Sequence, residues 1–89
     1  KSLLLSVIHR ELIADRTFLL DGKLKLTFRA NGETFDHWRN TVTGTWEVKD
    51  GKLHRFINLV PGGTTATYSY NPTDGSFRSG MSVMVPVKE

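Results

Sequence analysis

Residues 21–28 read DGKLKLTF, an Asp-Gly pair followed by alternating apolar and polar side chains. An Asx-Gly pair tolerates the positive φ angles that a tight hairpin turn requires. Leu24, Leu26 and Phe28 are separated by single polar residues, and this period of two places the two sets of side chains on opposite faces of a β-strand. The stretch therefore predicts a hairpin turn that leads into a strand with one buried face.

Similar turn signals recur along the chain, at residues 31–32, 50–51, 62–63 and 74–75. Short strands punctuated in this way are typical of an antiparallel meander that forms a small barrel or a sandwich. The interval between residues 32 and 50 is long enough for two strands with a turn around residues 39–41. The predicted strands with clear patterns lie at residues 17–20, 24–28, 45–49, 53–59, 65–70 and 77–85, the last one ended by Pro86.

The N-terminal segment permits two interpretations. Leu4, Leu5, Ile8 and Leu12 fit a helical stripe behind a possible N-cap at Ser2, whereas the β-branched residues of the same segment suit a strand. Residues 3–13 are therefore predicted as either a short helix or a strand. The fold class is all-β, with a short N-terminal helix as the one alternative.

The composition indicates one folded domain covering residues 1–89. Of the 89 residues, 38% are hydrophobic and 24% are charged, which is enough apolar material for one core and too much for a disordered chain. There is no cysteine, so disulfides, thiolate nucleophiles and cysteine zinc sites are excluded. Because a domain of this size has a small core, we also expect that it could form a homo-oligomer.

Charge and hydropathy narrow the range of partners. The formal net charge is +3, and this small positive charge favours acidic partners only weakly. The longest apolar run, residues 3–8, is far shorter than the roughly 20 residues of a membrane-spanning helix, so no such span is predicted. Because the chain begins at Lys1 rather than Met, we expect an upstream segment to have been lost, such as a signal peptide, a lipid-anchor segment or a tag.

Residues 24–57 contain a strand ending in Leu-Thr-Phe, an Asx-Gly turn, the Gly44-Thr45-Trp46 motif and a further Asp-Gly hairpin. This pattern resembles small bacterial lipocalin-like domains and covers roughly a third of the chain. The resemblance implies a barrel or half-open barrel that is exported and binds a ligand. It favours a periplasmic or secreted location, with a cytoplasmic location as the alternative.

Five residues are the candidates for ligand binding. His37, Trp38 and Arg39 form a cluster in which an aromatic ring beside a cation could stack on a ring or hold an anion. Arg55 is the cation on the otherwise apolar face that it shares with Leu53, Ile57 and Leu59. Tyr68 lies on the alternating strand predicted at residues 65–70, and we count it with Arg55 among the candidates for ligand binding.

No catalytic site, metal site or cofactor is predicted. The three histidines, His9, His37 and His54, are scattered singly, outside any nucleophile motif and without metal-ligand spacing. Asp36 and His37 are neighbours on a predicted strand, where they would point to opposite faces. Phosphate-binding and dinucleotide-binding glycine motifs are absent from the sequence.

The sequence therefore supports a non-enzymatic binding module that takes a small apolar ligand or a protein partner. The alternative is an OB-like domain that binds single-stranded nucleic acid. That alternative depends on Lys23, Lys25 and Arg29, which form a basic ribbon on the outer face of one strand.

Overall fold

The computed structural model describes residues 7–88, in which eight antiparallel strands form a closed barrel. The all-β prediction is confirmed. Within the described residues, no helix is long and apolar enough to cross a membrane. The strands are β1 (Arg16–Leu20), β2 (Leu24–Phe28), β3 (Glu33–Asp36), β4 (Thr41–Lys49), β5 (Lys52–Ile57), β6 (Thr64–Asn71), β7 (Ser76–Ser79) and β8 (Ser82–Pro86).

The barrel is a simple meander in which each strand pairs with the next and β8 returns to β1. The closing pair aligns Phe18 with Pro86, Leu19 with Val85 and Leu20 with Met84. Because every strand has two neighbours, the barrel presents no free edge. The meander was expected from the sequence, and the structure decides between barrel and sandwich in favour of the barrel.

The hairpin turns have the backbone geometry that their residues predict. Asp21 and Gly22 have φ values of 53° and 71°, and Asp50 and Gly51 have values of 55° and 74°. Both residues of each pair are therefore left-handed, as a type I′ hairpin turn requires. The local sequence therefore determines the two chain reversals that precede the strands beginning at Leu24 and Lys52.

Gly44 marks an irregularity in β4. Thr34 pairs with Gly44 while Phe35 pairs with Val42, so Thr43 is an extra residue in the ladder, as in a β-bulge. A Cβ atom at Gly44 would lie 1.9 Å from the backbone oxygen of Phe56. Only glycine therefore fits where β4 approaches β5 at this bulge.

The two ends of the barrel differ. Four loops, at residues 21–23, 37–40, 58–63 and 80–81, lie at one end, which we call the rim end. The turns 29–32, 50–51 and 72–75 lie at the other end, which we call the plug end. There the amide of Ile8 donates to the backbone oxygen of Gly51 over 2.9 Å, and the N-terminal segment crosses the barrel.

Ile8 and Ile13 reach the core from the N-terminal segment, where they are 1% and 0% exposed. The aromatic rings of the core make edge-to-face contacts, with the centroid of Phe18 5.4 Å from that of Phe28 and 5.3 Å from that of Phe77. Such contacts add to the free energy of area burial. The buried apolar residues are Ile8, Ile13, Phe18, Leu26, Phe28, Trp46, Leu53, Tyr68, Phe77 and Met84.

Two sequence predictions are wrong in detail. Residues 77–85 are not one strand, because a turn at Gly80 and Met81 divides them into parts of β7 and β8. Leu59 does not continue the inward face of β5, because it lies in the loop at residues 58–63 and is 45% exposed. The extra turn supplies the eighth strand.

The N-terminal segment is only partly described. The positions of Leu4 and Leu5 in the predicted helix or strand lie outside the described residues. In the described part, residues 10–12 form a single 3-10 turn, and the first strand begins at Arg16. Neither a regular α-helix nor a strand is formed by residues 7–13.

Candidate functional site

Arg55 lies inside the barrel. It pairs across the sheet with Trp46 and Ala66 and is only 4% exposed. Its Nη1 donates to the hydroxyl oxygen of Tyr68 over 3.4 Å, at the long end of hydrogen-bond range. Both predicted residues therefore point into the interior and lie within reach of each other.

The guanidinium of Arg55 lacks a carboxylate partner among residues 7–88. The ion pairs in that part of the chain join Arg29 to Glu33 and Arg39 to Asp36. The Nε atom of Arg55 is also without a hydrogen-bond partner there. Because an isolated buried charge is costly, a cation in this position favours an anionic group beside it.

Two buried hydroxyl groups share this lack of partners. The Oγ1 atoms of Thr34 and Thr43 make no hydrogen bond to any described residue, although the side chains are 0% and 2% exposed. Thr34 is on β3, Thr43 is on β4, and Arg55 is on β5, so the three come from adjacent strands. Among residues 7–88, three buried polar groups thus have unused hydrogen-bonding capacity, which native proteins seldom leave without a reason.

Inward positions near the rim end carry small side chains. Ala66 and Ser82 precede the buried Tyr68 and Met84 by two residues, and Ser79 follows the buried Phe77 by two. All three are only half-buried, whereas the bulky core residues are almost fully enclosed. The aromatic side chains and the N-terminal segment fill the plug end, so these small inward side chains at the rim end lie nearer to solvent than the core residues do.

Asp36 anchors the 37–40 loop. Its carboxylate accepts hydrogen bonds from the backbone amides of Trp38 and Arg39, both over 2.9 Å, and from the Arg39 guanidinium over 2.7 Å. Burial acts to raise the pKa of Asp36, but the hydrogen bonds and charge of Arg39, with the amide of Trp38, outweigh it and lower the pKa. The carboxylate stays ionised and holds the loop in place.

Trp38 and Arg39 project from this loop at the rim end. Trp38 is 76% exposed, and the guanidinium carbon of Arg39 lies 4.7 Å from the centre of the Trp38 ring. A cleft of about 400 Å³ lies between this loop and the start of β2. It is lined by Trp38 and Arg39 on one side and by Lys23 and Leu24 on the other. The predicted pairing of an aromatic ring with a cation is present here.

His37 points elsewhere, onto the outer wall of the barrel. Its Nε2 is 2.6 Å from the hydroxyl of Thr27, which in turn lies 2.7 Å from that of Thr17. The ring of Phe35 packs edge-on against the imidazole with a centroid separation of 5.1 Å. His37 is therefore a member of an outer polar row, apart from Trp38 and Arg39.

The five predicted residues thus occupy three places: Arg55 and Tyr68 the interior, Trp38 and Arg39 the rim end, and His37 the outer wall. Sequence analysis missed the polar Thr34 and Thr43, because alternation alone does not show which inward hydroxyl lacks a partner. It also missed the exposure of the apolar residues in two other rim loops, Leu59, Val60 and Met81. Their only sequence signal is an apolar residue beside turn glycines, as in Leu59 and Val60 before Gly62 or in Met81 after Gly80.

No protein-family model, no curated protein and no solved structure matches the chain.

Proposed function

We propose that the protein is a non-enzymatic, lipocalin-like carrier that binds a small amphipathic molecule with an anionic head group. The observation that carries the proposal is the buried Arg55 guanidinium, which has no carboxylate partner in the described chain. An anionic head group would accept charge-assisted hydrogen bonds from it, and such bonds are roughly twice as strong as neutral ones. Ligands of this kind combine an apolar body with one polar group that fixes their orientation.

Two buried hydroxyls on the strands that precede β5 support the same ligand class. The unused hydroxyls of Thr34 and Thr43 can donate to a carboxylate, phosphate or sulfonate oxygen. The apolar part of the ligand would extend towards the rim end, past the small side chains of Ala66, Ser79 and Ser82. An eight-stranded barrel is about the smallest that can hold one small ligand, so the molecule must be short.

Calorimetric titration with octanoate and with octanol tests this proposal, because the two share an apolar chain and differ in charge. We expect the wild type to bind octanoate at least about tenfold more tightly than octanol, from charge-assisted hydrogen bonds to Arg55. Arg55→Met should lose that preference and remain folded, since apolar replacements of buried charges are often neutral for stability. Far-UV circular dichroism checks the fold.

Arg78→Met is the matched control, because Arg78 is exposed on the outer face of β7. It should bind octanoate as the wild type does. Equal affinities for octanoate and octanol, or an Arg55→Met variant that keeps its preference for octanoate, would contradict the proposal.

Single-stranded nucleic acid is a weaker alternative. The chain forms an eight-stranded meander, whereas the OB-fold is a five-stranded Greek-key barrel. In the predicted basic ribbon, Arg29 is paired with Glu33 at 3.1 Å and lies 4.7 Å from the centre of the Phe35 ring. Salt-dependent fluorescence anisotropy with short single strands would reveal such binding.

A further inference from the structure

We propose that the rim end docks on the surface of an anionic lipid bilayer, with its loops inserted between the head groups. This inference does not depend on the interior ligand. It begins with four exposed apolar side chains on three of the rim loops. Trp38 is 76% exposed, Leu59 45%, Val60 49% and Met81 98%.

Their position follows from the topology. In a meander, alternate connections lie at the same end, so the loops 37–40, 58–63 and 80–81 all belong to the rim. The other strongly apolar exposed side chains of the described chain, Phe56 and Val85, lie on the outer wall and are 40% and 37% exposed. The most exposed apolar residues are therefore gathered at one end, an arrangement that marks an interaction site.

The residue types suit a lipid interface. Tryptophan has an apolar ring system and a polar N–H, and it is enriched at the level of lipid head groups. Arg39 stacks on Trp38, and Lys23 lines the same cleft. Long basic side chains beside apolar ones can place their stems in the apolar layer and their charges among phosphates.

The charges identify the surface as anionic. Close to the rim loops, the basic residues Lys23, Lys25, Arg39 and Arg78 outnumber Asp21 and Asp36. Both carboxylates are already engaged: Asp21 accepts from the amide of Val83 over 2.8 Å, and Asp36 is buried against Arg39. Lysines and arginines near an anionic leaflet are attracted to it.

The same charges argue against a second copy as the occupant. Two rim ends facing each other would bring two sets of cations together around the apolar tips, and like charges at an interface are unfavourable. The plug end, by contrast, mixes acidic and basic residues, with Glu11, Asp15, Asp50 and Asp74 among them. Within residues 7–88, only the rim end combines exposed apolar tips with surplus positive charge.

Vesicle co-sedimentation tests the proposal with two lipid compositions, phosphatidylcholine alone and phosphatidylcholine containing about 30% phosphatidylserine. We expect the wild type to sediment with the anionic vesicles more than with the neutral ones. The fluorescence of Trp38 should shift to shorter wavelength on binding, while Trp46, which is 6% exposed, contributes a constant background. Higher salt should weaken the binding.

The double variant Trp38→Ser with Met81→Ser should bind the anionic vesicles at least about tenfold less tightly, because both side chains lose apolar contact with lipid. Val85→Ser is the matched control, an exposed apolar residue on the wall, and it should bind as the wild type does. Arg55→Met should also bind as the wild type, which separates lipid docking from the proposed ligand site.

Several results would overturn the proposal. They are the absence of sedimentation with either lipid, undiminished binding by the double variant, and sedimentation without a change in tryptophan emission. A wild-type dimer that becomes monomeric in the double variant would also overturn it, because a second copy would then cover the rim. Light scattering measures that state without lipid.

Discussion

Asp36 shows how one buried carboxylate controls the position of a binding loop. Its side chain is 0% exposed, and it accepts hydrogen bonds from two backbone amides and one guanidinium in the three residues that follow it. The pKa of Asp36 is lowered because these contacts with Arg39 and Trp38 outweigh the effect of burial. Stability from this group is therefore present above the ordinary pKa of aspartate and is lost as the pH falls through the lowered pKa.

We predict that Asp36→Asn lowers the free energy of unfolding at neutral pH by about 1–3 kcal/mol, because charge-assisted hydrogen bonds are lost. The difference from the wild type should shrink as the medium becomes acidic enough to protonate Asp36. Urea denaturation at pH 7 and at about pH 3 measures both effects. Asp50→Asn is the control, since Asp50 is exposed at a turn where asparagine also tolerates its φ of 55°. A constant difference between Asp36→Asn and the wild type at both pH values would contradict the prediction.

At the residue scale, sequence reasoning identified side chains but not their environments. The pairing of Trp38 with Arg39 follows from adjacency in sequence and is visible there. Whether Arg55 has a counter-ion depends on strands that are distant in sequence, so its isolation appears only in three dimensions. The hydroxyls of Thr34 and Thr43 carry no distinguishing signal in an alternating strand.

Among the elements, β4 is the longest strand of the described barrel, and Gly44 fixes its relation to its neighbours. We predict that Gly44→Ala destabilises the protein by about 1–3 kcal/mol or more, because the new methyl group would overlap the Phe56 carbonyl oxygen. Thermal unfolding followed by circular dichroism measures the loss. Thr45→Ala, at the exposed next position, is the control and should change the melting temperature little. Full stability in Gly44→Ala would show that β4 and β5 can separate without cost.

Strands that follow an Asx-Gly turn were predictable, since the turn chemistry and the alternation agree. The division between β7 and β8 was not, because Gly80 is followed by an apolar Met81 and the alternation runs through the turn. Leu59 was misplaced for the same reason, as its spacing continues that of Leu53 and Ile57. Periodicity locates a face but does not show where the pairing stops.

On the scale of the whole molecule, the core belongs jointly to the barrel and to the N-terminal segment. The side chain of Ile13, from the N-terminal segment, is 0% exposed and belongs to the same core cluster as residues contributed by the strands. We predict that Ile13→Ala lowers the free energy of unfolding by about 2–4 kcal/mol, from lost burial and a cavity. Loss of circular dichroism and of buried-tryptophan fluorescence should coincide in one transition. Val85→Ala, on the exposed wall, should cost far less, and two separate transitions in Ile13→Ala would show that the segment and the barrel unfold independently.

Closure of the sheet could not be deduced from the sequence alone. Alternating strands and tight turns are equally compatible with a sandwich, and the pairing of β1 with β8 joins segments at opposite ends of the chain. The number of strands also determines closure, and the sequence patterns missed one turn. The all-β class follows from local chemistry, whereas the barrel is a property of contacts between distant residues.

The pairing of β1 with β8 brings Arg16 and Pro86 to the same side of the molecule, where the amide of Val87 still bonds to Thr17. A fusion partner joined after Val87 would therefore lie at the plug end of the barrel. The four loops of the rim end would face away from it. The geometry is that of a display scaffold: diversified loops could be presented outward, and tethering to a bead or a second protein would leave them unobstructed.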